Sequence, residues 1–500
     1  MTNMEKLRSR LQEIARIGSL LNIALWDQEV NMPPKAADSR ALALAEASGL
    51  LHQKFVSIDS DGLLSGLKAE LDAGALSGGD AVVVRETWRS FEREKKLPER
   101  LVKEIALTAS QAYEVWAEAR KKDDFDMFLP WLRKMVKLKR EEAEYVGYAD
   151  SPYDALLDAY EPGMTSKEVT KVLSDLKGFL VPFIRKIKAS KSKVDDRRLK
   201  GKFPIEAQES FNRLVAKEIG FDFAAGRLDK ATHPFATGIN PSDVRLTTRY
   251  LVEDVFYSIG STVHEAGHGL YEQGLPGEHF GTPLAESVSL GIHESQSRMW
   301  ENMIGKSEPF WRHFYPKLRK AFPKPFREIP LKDFCRMISK ARPSLIRTES
   351  DEVTYNLHII LRYEIEKGMI EGTIDPADTP RIWKEKMKEY LGVDVPNDRE
   401  GVLQDVHWAH GGIGYFPTYS LGNLYAAQFY RAMKKDVKGI ERKMSQGDFM
   451  PVLTWLRKNI HSLGKTYRAG ELVERVTGKP LDSRYFIEYL EEKYGRIYGL

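Results

Sequence analysis

Apolar residues recur at helical spacing along most of the chain. In the first segment they step by three or four positions, through Leu11, Ile14, Ile17, Leu21 and Leu25. Such a repeat predicts a helix with one buried stripe. The same periodicity predicts long helices over about 100–121, 128–147, 166–187, 205–218, 253–273, 285–303, 351–371 and 421–436.

Strand patterns are few. The clearest is DVRLTTRY at Asp243 to Tyr250, where Val244 and Leu246 alternate with Arg245 and Thr247. Glycine and proline interrupt the helical pattern at short breaks, which lie at 30–40, 161–165, 274–278 and 375–380. The pattern therefore predicts a mainly α protein with a small sheet and no long linker.

Charge and cysteine content narrow the function classes. The 76 basic and 72 acidic residues leave a net charge of +4, too little to indicate nucleic acid or an anionic membrane as a partner. Cys335 is the only cysteine, which excludes an intrachain disulfide and suits a reducing cytoplasm. No apolar run approaches the roughly 18 residues of a spanning helix, so neither membrane insertion nor secretion is expected.

The stretch STVHEAGHGLYEQG, at 261–274, places His264 and His268 four residues apart, with Glu265 beside the first. Positions i and i+4 share a helical face, so both imidazoles can meet one ion. The flanks predict the required helix, because acidic residues precede it and Gly274 with Pro276 ends it. The alternative is an accidental match on an ordinary amphipathic helix.

A catalytic zinc site needs a third protein ligand. The downstream candidates are Glu272, Glu278, His279, Glu286, His293 and Glu294. Glu272 lies a further turn along the same helix, and 278–279 follow the helix end. Either His293 or Glu294 on the next helix can face the ion, because neighbouring residues differ by about 100°. We favour Glu294, since a carboxylate from a second helix is the usual third partner of a short HExxH motif.

Several further motifs occur in a fixed order. They are LWDQEVNMPPKAADSRA, YDALLDAYEPG, HPF at 233–235, DVRLTTRY, HEAGH, GIHESQSRMWEN, IRTESDEVTY at 346–355, GVLQDVHW at 401–408 and GYFPTYSLGN at 414–423. Together they resemble the Taq-type thermostable metallocarboxypeptidases over nearly the whole chain. One departure is Ser350, where that family usually has alanine.

The resemblance implies a single domain over 1–500 with a saddle-like helical body, related in architecture to neurolysin and angiotensin-converting enzyme. A helical part of about 1–200 and a catalytic part of about 201–500 would flank a deep groove. It also implies a homodimer that removes single C-terminal residues from peptides with broad specificity. The expected cofactor is Zn²⁺, with Co²⁺ or Mn²⁺ as substitutes.

The resemblance also assigns roles. Glu265 would act as general base and then acid, with His264, His268 and Glu294 as metal ligands. The oxyanion of the tetrahedral intermediate would be met by His407, Tyr415 and Tyr419.

A carboxypeptidase must also bind a free carboxylate, which suits a planar guanidinium. Arg347 is the first choice and Arg245 the second. A wall that limits substrate length would consist of Asp243, Arg245, Thr247 and His233.

Some assignments stay open at this point. Asp351, Glu352 and Asp405 are either acceptors that orient a histidine or Arg347, or ordinary helix-start acids. The nearest rival function is an endopeptidase or dipeptidyl-peptidase on the same scaffold. A different class of rival is a helical scaffold protein whose motif has lost its activity.

Overall fold

The structure is a computed structural model that describes residues 1–500, apart from the side chains of Ala37 and Asp38. The predicted fold class is confirmed, because the protein is mainly helical with one small sheet. The α-helices, numbered α1 to α21 in chain order, are Asn3–Val30, Ala37–Val56, Leu63–Asp72, Gly78–Lys96, Glu99–Lys122, Phe125–Val146, Pro152–Leu157, Ser166–Ala189, Ile205–Glu218, Val255–Glu272, Leu290–Arg298, Glu308–Ala321, Pro323–Phe326, Leu331–Ile338, Tyr355–Glu371, Thr379–Leu391, Pro417–Asp436, Ile440–Ser445, Met450–Asn459, Ala469–Thr477 and Arg484–Tyr498.

The sheet has three strands, β1 (Gly226–Lys230), β2 (Ala236–Asn240) and β3 (Asp243–Thr248), in the order β1, β3, β2. The central strand β3 is the one that the alternating pattern predicts. It runs parallel to β1 and antiparallel to β2, with Arg245 opposite Thr237. Its buried face packs on α10, and β2 also contacts α1 and α10. The sheet thus lies beside the helix that carries the HEAGH motif.

Two apolar clusters fill the molecule. The larger runs from Ala112 to Tyr498 and surrounds α10, α11 and α17. The smaller, between Leu7 and Phe91, joins α1, α3 and α4 and also takes in Leu284. The clusters thus separate near residue 100, whereas the predicted division of the domain lies near residue 200. That division stays a prediction.

Two sequence expectations differ from the structure in detail. The predicted helix at 285–303 is interrupted, because Glu286 and Ser289 are extended and α11 begins only at Leu290, where the Ser289 hydroxyl accepts the Ile292 amide. A π-helical turn, Met299–Ile304, then follows α11. The predicted stripe on α1 is buried only where α3 and α4 cover it, and Leu25 is 45% exposed.

Among the described residues, none of the helices combines the length and the apolar composition that crossing a bilayer requires.

Candidate metal centre and surrounding site

Helix α10 carries both predicted histidine ligands. Asp254 caps its first turn by accepting the amides of Phe256 and Tyr257. The motif glycine, Gly267, lets α11 approach closely, because a Cβ there would lie 2.7 Å from the Cα of Ser297. The helix spacing and this close crossing therefore fix where the histidines stand relative to α11.

Helix α11 carries the third predicted ligand at this crossing. The Oε2 atom of Glu294 lies 3.8 Å from Nε2 of His264 and 3.4 Å from Nε2 of His268. One ligand atom from each of the three residues falls within 4.8 Å of the others. Helix α17 closes over Glu294 at Gly422, where a Cβ would lie 2.5 Å from the Glu294 Cγ atom. The structure thus brings together the three residues that the sequence analysis chose.

Arginine and serine side chains hold the Glu294 carboxylate. Arg298 donates from Nε to Oε1 at 2.6 Å, and the Ser297 hydroxyl donates to Oε2 at 3.0 Å. Burial alone would raise the pKa of Glu294, but Arg298, His264 and His268 together hold that pKa well below its usual range. The side chain is therefore anionic at neutral pH, as a carboxylate metal ligand has to be.

The two ligand histidines have different partners on their outer nitrogens. Nδ1 of His264 lies 2.9 Å from Oε2 of Glu301, a carboxylate that Arg298 also contacts. Nδ1 of His268 instead lies 2.5 Å from Nδ1 of His293, whose Nε2 is 2.7 Å from Oε1 of Glu272. Each Nε2 is thereby left to face Glu294. Two imidazoles and one carboxylate in this arrangement fit a divalent cation of the zinc type.

Glu265 is buried beside His264, only 6% exposed. Burial raises its pKa to about 7; the charge of His264 opposes this shift, and Glu294 adds to it. A carboxylate with such a pKa exchanges protons readily near neutral pH.

Arg347 belongs to a buried ionic cluster. Its Nε and Nη2 atoms donate to Oδ1 of Asp405 at 3.0 and 2.7 Å, and Arg362 pairs with the other oxygen at 2.6 Å. Asp405 is therefore an acceptor that orients Arg347. Two guanidinium groups and one carboxylate leave the cluster with an excess of one positive charge.

Three predicted residues of the 401–423 segment lie together next to this cluster. Nε2 of His407 is 3.3 Å from the Tyr419 hydroxyl, and the rings of Tyr415 and Tyr419 are 5.3 Å apart. Burial lowers the pKa of His407 to about 3, although Asp405 opposes the shift, so this imidazole is neutral. Burial and then the charge of Glu294 raise the pKa of Tyr415.

The strand residues are engaged in contacts of their own. Asp243 pairs with Arg245 at 2.9 Å, and the Arg245 guanidinium lies 4.3 Å from the Trp26 ring centroid. The hydroxyl of Thr247, which is fully buried, accepts the Phe235 amide at 2.8 Å and donates to its carbonyl at 3.1 Å. Thr247 thereby fixes the loop that holds His233, whose own side chain is exposed.

Sequence reasoning did not assign roles to several residues that build the site. No sequence pattern marks Tyr355 as a site residue. Its hydroxyl is nevertheless 3.1 Å from Arg347, and its ring lies 4.2 Å from the Arg298 guanidinium. Arg298 and Glu301 had a readable signal, because they follow Glu294 by four and seven positions on the same helical face.

Asp351 and Glu352, whose roles the sequence left open, make contacts that stabilise the fold. Asp351 accepts the amides of Val353 and Thr354 just before α15, as a helix-start acid does. Glu352 is buried and accepts hydroxyls from Tyr489 and Tyr494 of α21. Neither contacts a ligand histidine or Arg347 through these bonds.

Comparisons with known proteins agree with one another. The model of the carboxypeptidase Taq (M32) metallopeptidase family matches residues 4–494. Thermostable carboxypeptidase 1 of Thermus thermophilus is 44% identical over 499 residues, which cover 98% of this chain and 97% of that protein. Carboxypeptidase 1 of Bacillus subtilis is 38% identical, with 98% and 97% covered. The crystal structure of the M32 carboxypeptidase from Deinococcus radiodurans R1 superposes with a TM-score of 0.96 at 36% identity and covers 100% of both chains.

Proposed function

Because the chain belongs to the carboxypeptidase Taq (M32) family of metallopeptidases and is a peptide hydrolase, we propose that it removes single residues from peptide C-termini with broad specificity. The observation that carries the proposal is the convergence of His264, His268 and Glu294 beside the buried Glu265. The rival endopeptidase or dipeptidyl-peptidase function is not favoured by these relatives.

We propose Zn²⁺ as the ion that His264, His268 and Glu294 hold, with Co²⁺ or Mn²⁺ as possible replacements. Two imidazoles and one carboxylate are a common ligand set of catalytic zinc, which keeps a further position open. When bound, the ion supplies Lewis acidity, which polarises the scissile carbonyl and lowers the pKa of water.

Glu265 is the proposed proton carrier. Its carboxylate takes a proton from the attacking water and later gives it to the leaving amine, so that a neutral amine departs. A pKa of about 7 suits both transfers, because the side chain is then neither a weak base nor a weak acid near neutral pH. Burial also excludes bulk water from competing for the proton.

The developing oxyanion needs donors on the side away from the ligands. Tyr415, Tyr419 and the neutral His407 are the proposed donors, since they form one contiguous group. We expect Tyr415 to contribute most, because the Tyr419 hydroxyl is already engaged by His407.

Arg347 is the proposed receptor for the substrate's free carboxylate. Asp405 fixes the guanidinium, and the excess positive charge of the cluster with Arg362 remains to attract an anion. Arg245 is less suited, because Asp243 and Trp26 already hold it. We propose that Asp243, Arg245, Thr247 and His233 instead form a wall that limits substrate length, with Thr247 acting through the loop it fixes.

The test is product analysis with an N-terminally blocked peptide. Release of one free C-terminal amino acid at a time, lost on chelation and restored by Zn²⁺, supports the proposal. The C-terminal amide of the same peptide serves as control and should be cleaved far more slowly. Internal fragments from either peptide would overturn the proposal in favour of an endopeptidase.

We also propose a homodimer and a cytoplasmic location. The hairpin of α1 and α2 leaves leucines uncovered that a second copy can bury, namely Leu20, Leu25, Leu42 and Leu50. The absence of a second cysteine beside Cys335 suits a reducing compartment. Light scattering should give twice the chain mass of 57.1 kDa, and Leu20→Glu with Leu50→Glu should halve it; a monomeric parent would exclude the dimer.

A further inference from the structure

The ligand histidines of this site are not supported alike. His264 meets a carboxylate directly, since its Nδ1 lies 2.9 Å from Glu301. His268 meets a second imidazole, and the carboxylate of Glu272 comes only after it. From these different partners, the ring nitrogen that carries the hydrogen can be assigned for His268 and for His293.

A hydrogen bond between two Nδ1 atoms admits one proton. If Nε2 of His268 binds the ion, its lone pair lies there and Nδ1 carries the hydrogen. Nδ1 of His293, at 2.5 Å, must then accept, so His293 carries its own hydrogen on Nε2. That hydrogen points to Oε1 of Glu272 at 2.7 Å. The hydrogen bonds therefore run in one direction, from His268 to His293 and from His293 to the Glu272 carboxylate, and each donor has one acceptor.

The surrounding helices and strand β2 hold His293 and Glu272 in place. His293 directly precedes Glu294 on α11, so the residue pair gives the site a ligand and, about 100° round the helix, the acceptor for another ligand. Its ring packs against His268 at 4.6 Å and Tyr271 at 5.2 Å between centroids. Glu272 lies over β2 at Gly238, where a Cβ would be 2.4 Å from its Oε2 atom.

We propose that His293 and Glu272 are positioning residues that set the tautomer of His268 and raise its strength as a ligand. The Glu272 carboxylate acts through the imidazole of His293, which it polarises by hydrogen bonding. This inference rests on the proposed metal function. Outer partners of metal-bound histidines typically change metal affinity by about 10- to 100-fold. The proposal therefore concerns how tightly, and in which geometry, this chain holds its ion.

The test compares Glu272→Gln, His293→Asn and His293→Phe with the parent. Zn²⁺ affinity is measured by competition with a chelator, and the Co²⁺-loaded proteins are compared by visible absorption, which reports ligand geometry. Glu272→Gln keeps an acceptor without charge and should weaken Zn²⁺ binding about 10-fold. His293→Asn can still accept from His268 and should resemble it, whereas His293→Phe should approach about 100-fold and alter the Co²⁺ spectrum.

The double variant tests whether Glu272 acts on His268 through His293. If Glu272 acts through His293, then Glu272→Gln should cause no further loss of affinity in the His293→Phe background. Glu278→Gln, on the exposed loop after α10, is the matched control and should bind Zn²⁺ like the parent.

The outcomes separate cleanly. Variants that bind Zn²⁺ and Co²⁺ like the parent, while the metal-free protein melts at a lower temperature, would overturn the proposal and leave only a packing role. Additive losses in the double variant would equally overturn it. A parent that binds no Zn²⁺ would instead refute the proposed metal function. Should His293→Phe not fold, parental Zn²⁺ affinity of the isosteric Glu272→Gln would still overturn the proposal, and a loss shared with His293→Asn would support it.

Discussion

Two sides of the site are held in different ways. The helix side, which consists of His264, Glu265, His268 and Glu294, stands on α10 and α11, and its spacing follows from the helical repeat and the close crossing at Gly267. The loop side, which consists of Arg347, His407, Tyr415 and Tyr419, stands on turns and on the first turn of α17.

Buried acidic residues hold the loop side where helices hold the other. Asp405 joins Arg347 to Arg362 of α15. Glu366, also on α15 and fully buried, accepts the Trp408 indole at 2.9 Å and the Gly414 amide at 3.3 Å, and each donor directly neighbours a predicted loop-side residue in the chain. The Tyr153 hydroxyl donates to it as well.

Because the two sides are held differently, substitutions should affect activity and stability differently on each side. On the helix side a substitution can remove a chemical group while the helices keep its neighbours in place. On the loop side, the groups that position the proposed catalytic residues are also buried acids, whose removal leaves charged or hydrogen-bonding partners uncompensated. We therefore expect activity and stability to separate on the helix side and to change together on the loop side.

The largest effect should come from Glu265→Gln. The amide cannot take up the proton, so kcat should fall by at least about 10³-fold. Because Glu265 is not a ligand, bound Zn²⁺ and the melting temperature should stay at parental values. Activity is measured with a C-terminally free peptide, and metal content by elemental analysis. Residual activity within tenfold of the parent would exclude Glu265 as the proton carrier.

Next in size, Tyr415→Phe should lower kcat by about 10²-fold with little change in KM, since one oxyanion donor is typically worth that much. Tyr419→Phe should have a smaller effect, because its hydroxyl is also engaged by His407. Steady-state kinetics of both single variants and of the double variant rank the two hydroxyls. The reverse order would assign the oxyanion contact to Tyr419.

A smaller loss should follow Arg347→Lys, which keeps the charge but not the bidentate geometry. We expect kcat/KM for a free C-terminal peptide to fall by about 10- to 100-fold, largely through KM. The slow cleavage of the matching C-terminal amide should hardly change. Arg312→Lys is the matched control, because that exposed side chain pairs with Glu308 one turn away on α12. Equal losses on both peptides would indicate a structural role for Arg347.

The contrast between the two sides also explains what the sequence could predict. His264 and His268 are separated by one helical turn, so a local pattern suffices, and a carboxylate from the next helix has few candidates. Helices with strong apolar stripes were likewise predictable. In contrast, 37–96 gave no predicted helix, although α2, α3 and α4 lie there; no described side chain of α2 is buried.

The loop side depends on pairs that are far apart in the chain. Arg347 and Asp405 are 58 positions apart, and Tyr153 and Glu366 are 213 apart. No local period marks such pairs, so only the resemblance assigned Arg347, His407 and the tyrosines. Glu366 was not predicted at all, because a glutamate within a helical pattern ordinarily indicates a solvated face.

Glu366 provides the finest test of this contrast, through stability rather than rate. Burial raises its pKa to about 8, against hydrogen bonds from Trp408 and Tyr153 that oppose the shift. In the unfolded chain the pKa is near 4.3. Between these values the folded state keeps a proton that the unfolded state has lost, so the stabilisation is complete at low pH and falls as pH rises to about 8.

Glu366→Gln removes this dependence, because its amide does not titrate. We expect the melting temperature of the parent, relative to that of the variant, to fall by a few degrees between pH 5 and 8 and to level off above about 8. Scans at one heating rate measure it, and the exposed Glu278→Gln should run parallel to the parent throughout. Parallel curves for Glu366→Gln would mean that Glu366 is ionised in the folded protein at pH 5, as its three donors favour, and that the loop side rests on one more fixed charge rather than on a neutral acid.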